Sequence, residues 1–260
     1  MKKSDLGSFC LVATKNLEAE ANYCISNIRK HYDCPIYIAC DTSSNHPEAK
    51  CIRIADDKTV ALYDKSLPQV KRHNGYHSVG AIAIKMDVMA RAIRETGNTF
   101  LIDSDVIIKG DVTEDIPDYA EAMLSPAYYH LNRAKESDDY GIYNAGYIWS
   151  KMPKLPDIWR DIFMYKSGFY EQGGMVWLNE HFDCYHFNRN HNVGFWRCGY
   201  VESWSEPTAG RLKKPRTKVS DPVDWGSALS VHCRMHKFDA KSVVQDARFN
   251  AFRKIVQNKL

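Results

Sequence analysis

Thr99-Phe100-Leu101-Ile102-Asp103-Ser104-Asp105-Val106-Ile107-Ile108 is the stretch that decides the fold. An apolar strand runs into two aspartates, and three more aliphatic residues follow. Carboxylates within so apolar a run are costly unless something compensates them. In extended chain, residues i and i+2 project to one side, so Asp103 and Asp105 can both face one ion. Two hard oxygen ligands suit Mg²⁺ or Mn²⁺. Such a metal would bridge a diphosphate and stabilise the charge that grows on it as a leaving group. The plain alternative is a strand that ends in an acidic turn.

Upstream of this stretch, strands and helices alternate. Ser8–Ala13 and Pro35–Cys40 read as short buried strands, and Lys50–Ile54 as a third. Leu17–His31 reads as a helix with Asn16 as its N-cap. Ala81–Thr96 reads as a second helix, with Ile84, Val88 and Ala92 repeating at four and Gly97 as the C-terminal stop. This rhythm predicts a Rossmann-like, mainly parallel α/β sheet flanked by helices. In such sheets ligands collect at the carboxyl ends of the strands, which is where Asp103 and Asp105 fall. Thr14, Asn16 and Asp41 lie just beyond the first two strands, in reach of a base or ribose.

Downstream, Ala122–Ser125 and Tyr143–Trp149 read as strands and Leu155–Tyr165 as a helix. Glu206–Asp221 is basic and polar and reads as a loop. Asp239–Leu260 reads as an amphipathic helix. No linker rich in Gly, Ser or Pro divides the chain, which predicts one domain over 1–260. Its parts are a nucleotide-binding half at 1–110, an acceptor half at 111–238 and a terminal helix at 239–260.

The 260 residues suffice for one large α/β domain, and 44% apolar with 26% charged residues describes an ordinary globular composition. A net charge of +3 is too small to argue for nucleic acid. No apolar run approaches the roughly 18 residues of a membrane span. Met1-Lys2-Lys3-Ser4-Asp5 leads straight into a strand without the apolar core of a signal peptide, so the expected location is cytoplasmic. The eight cysteines show no CxxC pair and read as reduced thiols.

The acidic segment resembles the DxD segment of GT-A glycosyltransferases, and later pieces follow in matching order. Tyr143-Asn144-Ala145-Gly146 resembles the N-A-G strand of retaining enzymes such as those of glycosyltransferase family 8. Glu171-Gln172 resembles their acidic-residue–Gln step. Val231-His232, with Lys237 five residues after the histidine, resembles the late strand that completes the metal site and meets the diphosphate. The Lys85 helix also stands in the expected place. The resemblance covers about residues 8 to 238.

It implies a nucleotide-sugar donor, most readily a UDP-sugar with GDP-sugars as the alternative. It also implies a glycan or other acceptor, and transfer with retention. Asp103, Asp105 and His232 would hold Mn²⁺ (or Mg²⁺), with Ser104 between the acids. Lys237 would add a point charge on the phosphates. Asn144 would bind a sugar hydroxyl, while Ala145 and Gly146 would let the donor approach the backbone. Gln172 would face the reacting carbon and Glu171 would orient a hydroxyl. Two departures stand out. Glu171 replaces the family's Asp, and His232-Cys233-Arg234-Met235-His236-Lys237-Phe238 lacks its Gly and Pro-Trp, which makes His236 a rival ligand.

Other residues invite other readings. In the run Glu180 to Trp196, His181, Asp183, Cys184, His186 and His191 make a zinc site conceivable, but their spacing is not that of a finger, and a loop rich in aromatic and polar residues near the acceptor is the plainer reading. Asn192-Val193-Gly194 resembles the turn after the Gln helix, with Asn192 as a substrate contact. Lys71, Arg72, His73 and His77 precede the Lys85 helix and read as a solvated face or as part of a closing segment. The charges from Arg211 to Lys218 would suit an anionic acceptor or a peripheral membrane contact.

A haloacid-dehalogenase-like phosphatase also uses D-x-D-x-[TV], and Gly110-Asp111 with Asp115 imitates its later motif. That family, however, places the first motif on its opening strand. A nucleotidyltransferase would carry a Gly-rich loop where this chain has Ala13-Thr14-Lys15-Asn16-Leu17. A carbohydrate-binding protein without catalysis leaves the acidic pair, the Gln step and the late histidine unexplained.

Overall fold

Successive side chains of a strand point to opposite faces, and here both faces are buried. A computed structural model describes residues 1–52, 79–128, 141–165, 171–197, 199–204, 215–220 and 226–233. The strands are β1 (Phe9–Ala13), β2 (Ile36–Cys40), β3 (Lys50–Ile52), β4 (Thr99–Ile102), β5 (Val106–Ile108), β6 (Ala122–Pro126), β7 (Tyr143–Ser150) and β8 (Cys184–His186). Further strands are β9 (Val193–Gly194), β10 (Gly199–Trp204), β11 (Pro215–Ser220) and β12 (Ser230–His232). The helices are α1 (Glu18–Arg29), α2 (Val79–Thr96), α3 (Leu155–Tyr165) and α4 (Glu171–His181).

Seven strands form the main sheet in the order β3-β2-β1-β4-β7-β6-β8. β7 runs antiparallel to both of its neighbours, and the other pairings in the sheet are parallel. The expected mainly parallel sheet is therefore present, with one reversed strand inside it. A second sheet, β5-β12-β9, stands beside the carboxyl end of β4, and β10 pairs with β11 in a separate ribbon.

On one face Phe9, Leu11, Phe100, Ile102, Tyr147 and Trp149 pack with Ala21, Cys24, Ile25 and Ile28 of α1. That i, i+3, i+4, i+7 spacing is the apolar stripe of a surface helix. Phe100 stacks on Phe9 at 5.7 Å and on Phe187 at 5.3 Å, with Tyr147 edge-on at 4.7 Å. On the other face Cys10, Leu101 and Ile148 meet Ile84, Val88, Met89, Ala92 and Ile93 of α2, with Trp159, Ile162 and Phe163 of α3 beyond. Burial on this scale contributes about 1.5–3 kcal/mol for each large side chain taken out of water.

Gly97 ends α2 at φ +85, with its N–H donated to Ile93 O at 2.8 Å, as the sequence suggests. Several local expectations are corrected. Asn16 does not cap α1: Lys15–Leu17 form a 3-10 turn, and the helix begins at Glu18 without a side-chain cap. Pro215–Ser220, expected in a loop, forms β11 and pairs with β10 from Gly199↔Ser220 to Trp204↔Pro215. α4 starts at Glu171 rather than after it, so Glu171 and Gln172 occupy its first turn. Residues 53–78, His236, Lys237 and the expected helix 239–260 lie outside the described residues. Among the described residues, no helix is long and apolar enough to cross a membrane.

Candidate active site and metal centre

Three strand registers build the site. β4 ends at Ile102 and delivers Asp103 to the carboxyl edge of the sheet, where Asp103 N–H donates to Gly146 O of the reversed neighbour β7 at 2.9 Å. β5 begins at Val106, and β12 pairs with it antiparallel, setting His232 opposite Val106. Cys233 N–H then donates to Asp105 O at 2.8 Å. β9 lies along the other side of β12, with Gly194 beside His232. A histidine from late in the chain is thus fixed one residue from the acidic pair.

Asp103, Asp105 and His232 each offer one ligand atom, and these atoms lie within 4.8 Å of one another. His232 Nε2 is 3.0 Å from Asp105 Oδ1 and 3.7 Å from Asp103 Oδ2. Asp105 and His232 are buried, and Asp103 is partly open. Among the described residues, no other group of three His, Cys, Asp or Glu side chains converges in this way. The histidines expected near residue 190 have other employment. His186 Nε2 meets Tyr143 Oη at 3.0 Å and Asn179 Oδ1 at 2.7 Å, while His191 joins Tyr147 Oη and Asp115, both at 2.9 Å.

The room for an ion at this site depends on Gly146. A Cβ there would stand 2.2 Å from Asp103 Oδ2 and 3.0 Å from His232 Cε1. Asn144, two residues earlier and on the same side of β7, accepts Gly146 N–H at its Oδ1 at 3.0 Å. Ala145 points the other way and is buried in the core with the helices.

Lys85 of α2 reaches the site from beneath. Its Nζ is 2.7 Å from Asp103 Oδ1 and 3.4 Å from Glu171 Oε1. Burial alone would lower the pKa of this ammonium, but the carboxylates of Asp103 and Glu171 outweigh burial and raise it. Burial likewise pushes Asp103 up, and Lys85 followed by His232 more than reverses this, so its carboxyl titrates below the usual range. Gln172 is half-buried beside Glu171 in the first turn of α4. Trp159 Nε1 donates to Glu171 O at 2.9 Å and fastens that turn to α3.

Thr14 and Asn16 lie between β1 and α1, and Asp41 follows β2 on the same edge of the sheet. Asp41 Oδ2 accepts Lys15 N–H at 2.6 Å, while its Oδ1 accepts from Ser43 and Ser44. Partial burial opposes its ionisation, but the bonds from Ser43, Lys15 and Ser44 dominate and bring its pKa to about 2. Ser104 is buried and its hydroxyl donates to Glu20 Oε1 at 3.2 Å.

Asn192, expected to touch substrate, is fully buried, and its side chain meets His232, Ser125 and Asn144 instead. The signal in the sequence was its place in the turn before β9; the partner could not be read there. The acids that imitate the phosphatase motif serve the scaffold. Asp111 accepts from Tyr32 Oη at 2.8 Å and from Thr113, and Asp115 meets His191.

No family model and no curated protein matches the chain in sequence. Solved structures are similar in fold. The galactosyltransferase LgtC, in complex with donor and acceptor sugar analogues, superposes with a TM-score of 0.54 at 12% identity, over 97% of this chain and 100% of that one. An active-site mutant of LgtC gives 0.54 at 11% identity with the same coverage. Together with the sheet order and the acidic edge, these neighbours show that the chain has the GT-A fold.

Proposed function

We propose that this protein is a divalent-metal-dependent glycosyltransferase that moves a sugar from a nucleoside diphosphate, preferably UDP, to a carbohydrate or glycoconjugate acceptor. One observation carries the reading: two carboxylates and an imidazole converge within 4.8 Å at the carboxyl edge of a GT-A sheet. That donor set fits Mn²⁺ better than Mg²⁺, which takes carboxylate, water and phosphate oxygens in preference to imidazole. The space left by Gly146 is consistent with an ion there. When bound, the metal supplies Lewis-acid stabilisation of the departing diphosphate.

The chain's own groups then divide the work. Asp103, Asp105 and His232 hold the ion, and Lys85 keeps Asp103 charged and aimed. Thr14, Asn16 and Asp41 lie along the edge where base and ribose would rest, Ser104 stands between the two acids, and the small residues Ala145 and Gly146 let the donor approach the backbone. Asn144 has its Oδ1 occupied and offers its NH₂ to a sugar hydroxyl. Gln172 faces the reacting carbon, Glu171 orients a hydroxyl, and Lys237 adds a cation to the phosphates. This is catalysis by positioning and electrostatics, with retention of configuration. The reaction is assigned to the cytoplasm, with the basic segment around Lys218 in peripheral contact with a membrane. Nucleic acid is not among the partners.

The test is turnover of UDP-sugars with Mn²⁺ and with EDTA, for wild type and Asp105→Ala. The wild type should turn over only with metal, and the variant should be inactive while melting near the wild-type temperature. Transfer by the variant in EDTA would refute the metal mechanism.

A further inference from the structure

We propose that Asn192 is a positioning residue: it fixes the proton of His232 on Nδ1 and so leaves Nε2 as the atom that meets the two carboxylates. The inference rests on the metal reading for its consequence, but its geometry stands alone. A backbone amide N–H can only donate. Gly146 N–H points at Asn144 Oδ1 at 3.0 Å, so that atom is the carbonyl oxygen. The Asn192 atom 3.0 Å from the same oxygen must then be its NH₂, whose other hydrogen goes to Ser125 Oγ at 3.0 Å. The remaining atom, Asn192 Oδ1, only accepts. It lies 2.9 Å from His232 Nδ1, which therefore carries a hydrogen.

The ring cannot easily escape this assignment. Trp196 stands edge-on to it at 5.0 Å, seated over Gly194, where any Cβ would fall 2.3 Å from the indole. The backbone of Asn192 adds a second demand. Its φ is +52, a region that Asn, Asp and Gly tolerate, and its N–H donates to Ser230 Oγ at 2.8 Å. The position thus needs left-handed backbone and a side-chain acceptor together. Partners of this kind fix the tautomer and direction of a metal-binding imidazole, and their loss typically weakens metal affinity about 10–100-fold.

Two substitutions separate the demands. Asn192→Asp keeps the backbone tolerance and the acceptor but gives up the donations to Ser125 and Asn144, whereas Asn192→Gly keeps only the backbone tolerance. The tautomer of His232 is read in metal-free protein from long-range ¹H–¹⁵N spectra of ¹⁵N-histidine, the signal being assigned by its loss in His232→Gln. Mn²⁺ affinity is measured by electron paramagnetic resonance. Wild type and Asn192→Asp should both carry a hydrogen on Nδ1, with or without a second on Nε2, which faces Asp105 Oδ1 at 3.0 Å. Asn192→Gly should show mixed tautomers and bind about 10–100-fold more weakly. A wild-type ring with no hydrogen on Nδ1 would overturn the proposal, as would an unchanged Nδ1 hydrogen and affinity in Asn192→Gly. If Asn192→Gly does not fold, the wild-type spectrum alone decides. If the wild type binds no Mn²⁺, the metal reading falls, and the tautomer of metal-free His232 still judges Asn192.

Discussion

A methyl group on Gly146 would sit inside normal contact with Asp103 and against His232. Neither neighbour can withdraw freely, because Asp103 is held by Lys85 at 2.7 Å and His232 by Asn192 at 2.9 Å. Gly146→Ala should therefore lose Mn²⁺ binding and transfer, at a stability cost of about 1–3 kcal/mol for overpacking; calorimetric titration and a melt check both. Asp41 gives a residue-scale prediction about acid. Its pKa is depressed in the folded protein, so its contribution is full above the unfolded value of about 3.9. That contribution is lost as pH falls through about 2. The stability difference between wild type and Asp41→Asn should shrink across that window in denaturant titrations, and a constant difference would contradict the assignment. Asp103 and Asp105 were legible in the sequence because charge inside an apolar run is anomalous. The task of Asn192 was not, since its partner His232 lies forty positions away and only the β9–β12 pairing brings them together.

At the scale of elements, the helix pair α3–α4 sets the pose of Glu171 and Gln172. Gly174 lets the pair close: a Cβ there would meet Trp159 Cδ1 at 2.8 Å. Trp159→Phe removes the indole donor from Glu171 O and leaves a gap beside Gly174. It should cost about 2 kcal/mol and reduce transfer while leaving the Mn²⁺ affinity near that of wild type. Equal loss of both would mean that α4 does not act separately from the metal site. The bounds of α3 were readable from its apolar spacing, and β1–β4, β6 and β7 from short apolar runs, but not β8, whose Cys184-Tyr185-His186 carries no such run. β11 was not readable, because Pro215-Arg216-Thr217-Lys218-Val219-Ser220 has the charge density of a loop. Its strand state comes from pairing with β10, a partner that local sequence does not reveal.

Over the whole molecule, the proposed metal joins the two halves of the chain, with Asp103 and Asp105 from one and His232 from the other. Ligand at about 100 times its Kd stabilises the folded state by roughly 2.7 kcal/mol. For a chain of this size that corresponds to a rise in Tm of roughly 5–10 °C. Mn²⁺ should produce such a rise in wild type and none in His232→Ala, as read by scanning calorimetry. The fold was accessible from sequence because strand–helix alternation and the acidic edge agree; the β5-β12-β9 sheet was hidden because its strands are only two or three residues long. That small sheet also has a consequence for synthesis. A chain emerging from the ribosome exposes both aspartates, and every strand of the main sheet, well before His232 appears. Until β12 docks, the nascent protein carries an acidic edge without its third ligand, so the capacity to retain the ion arrives late, as a mark that the two halves have met.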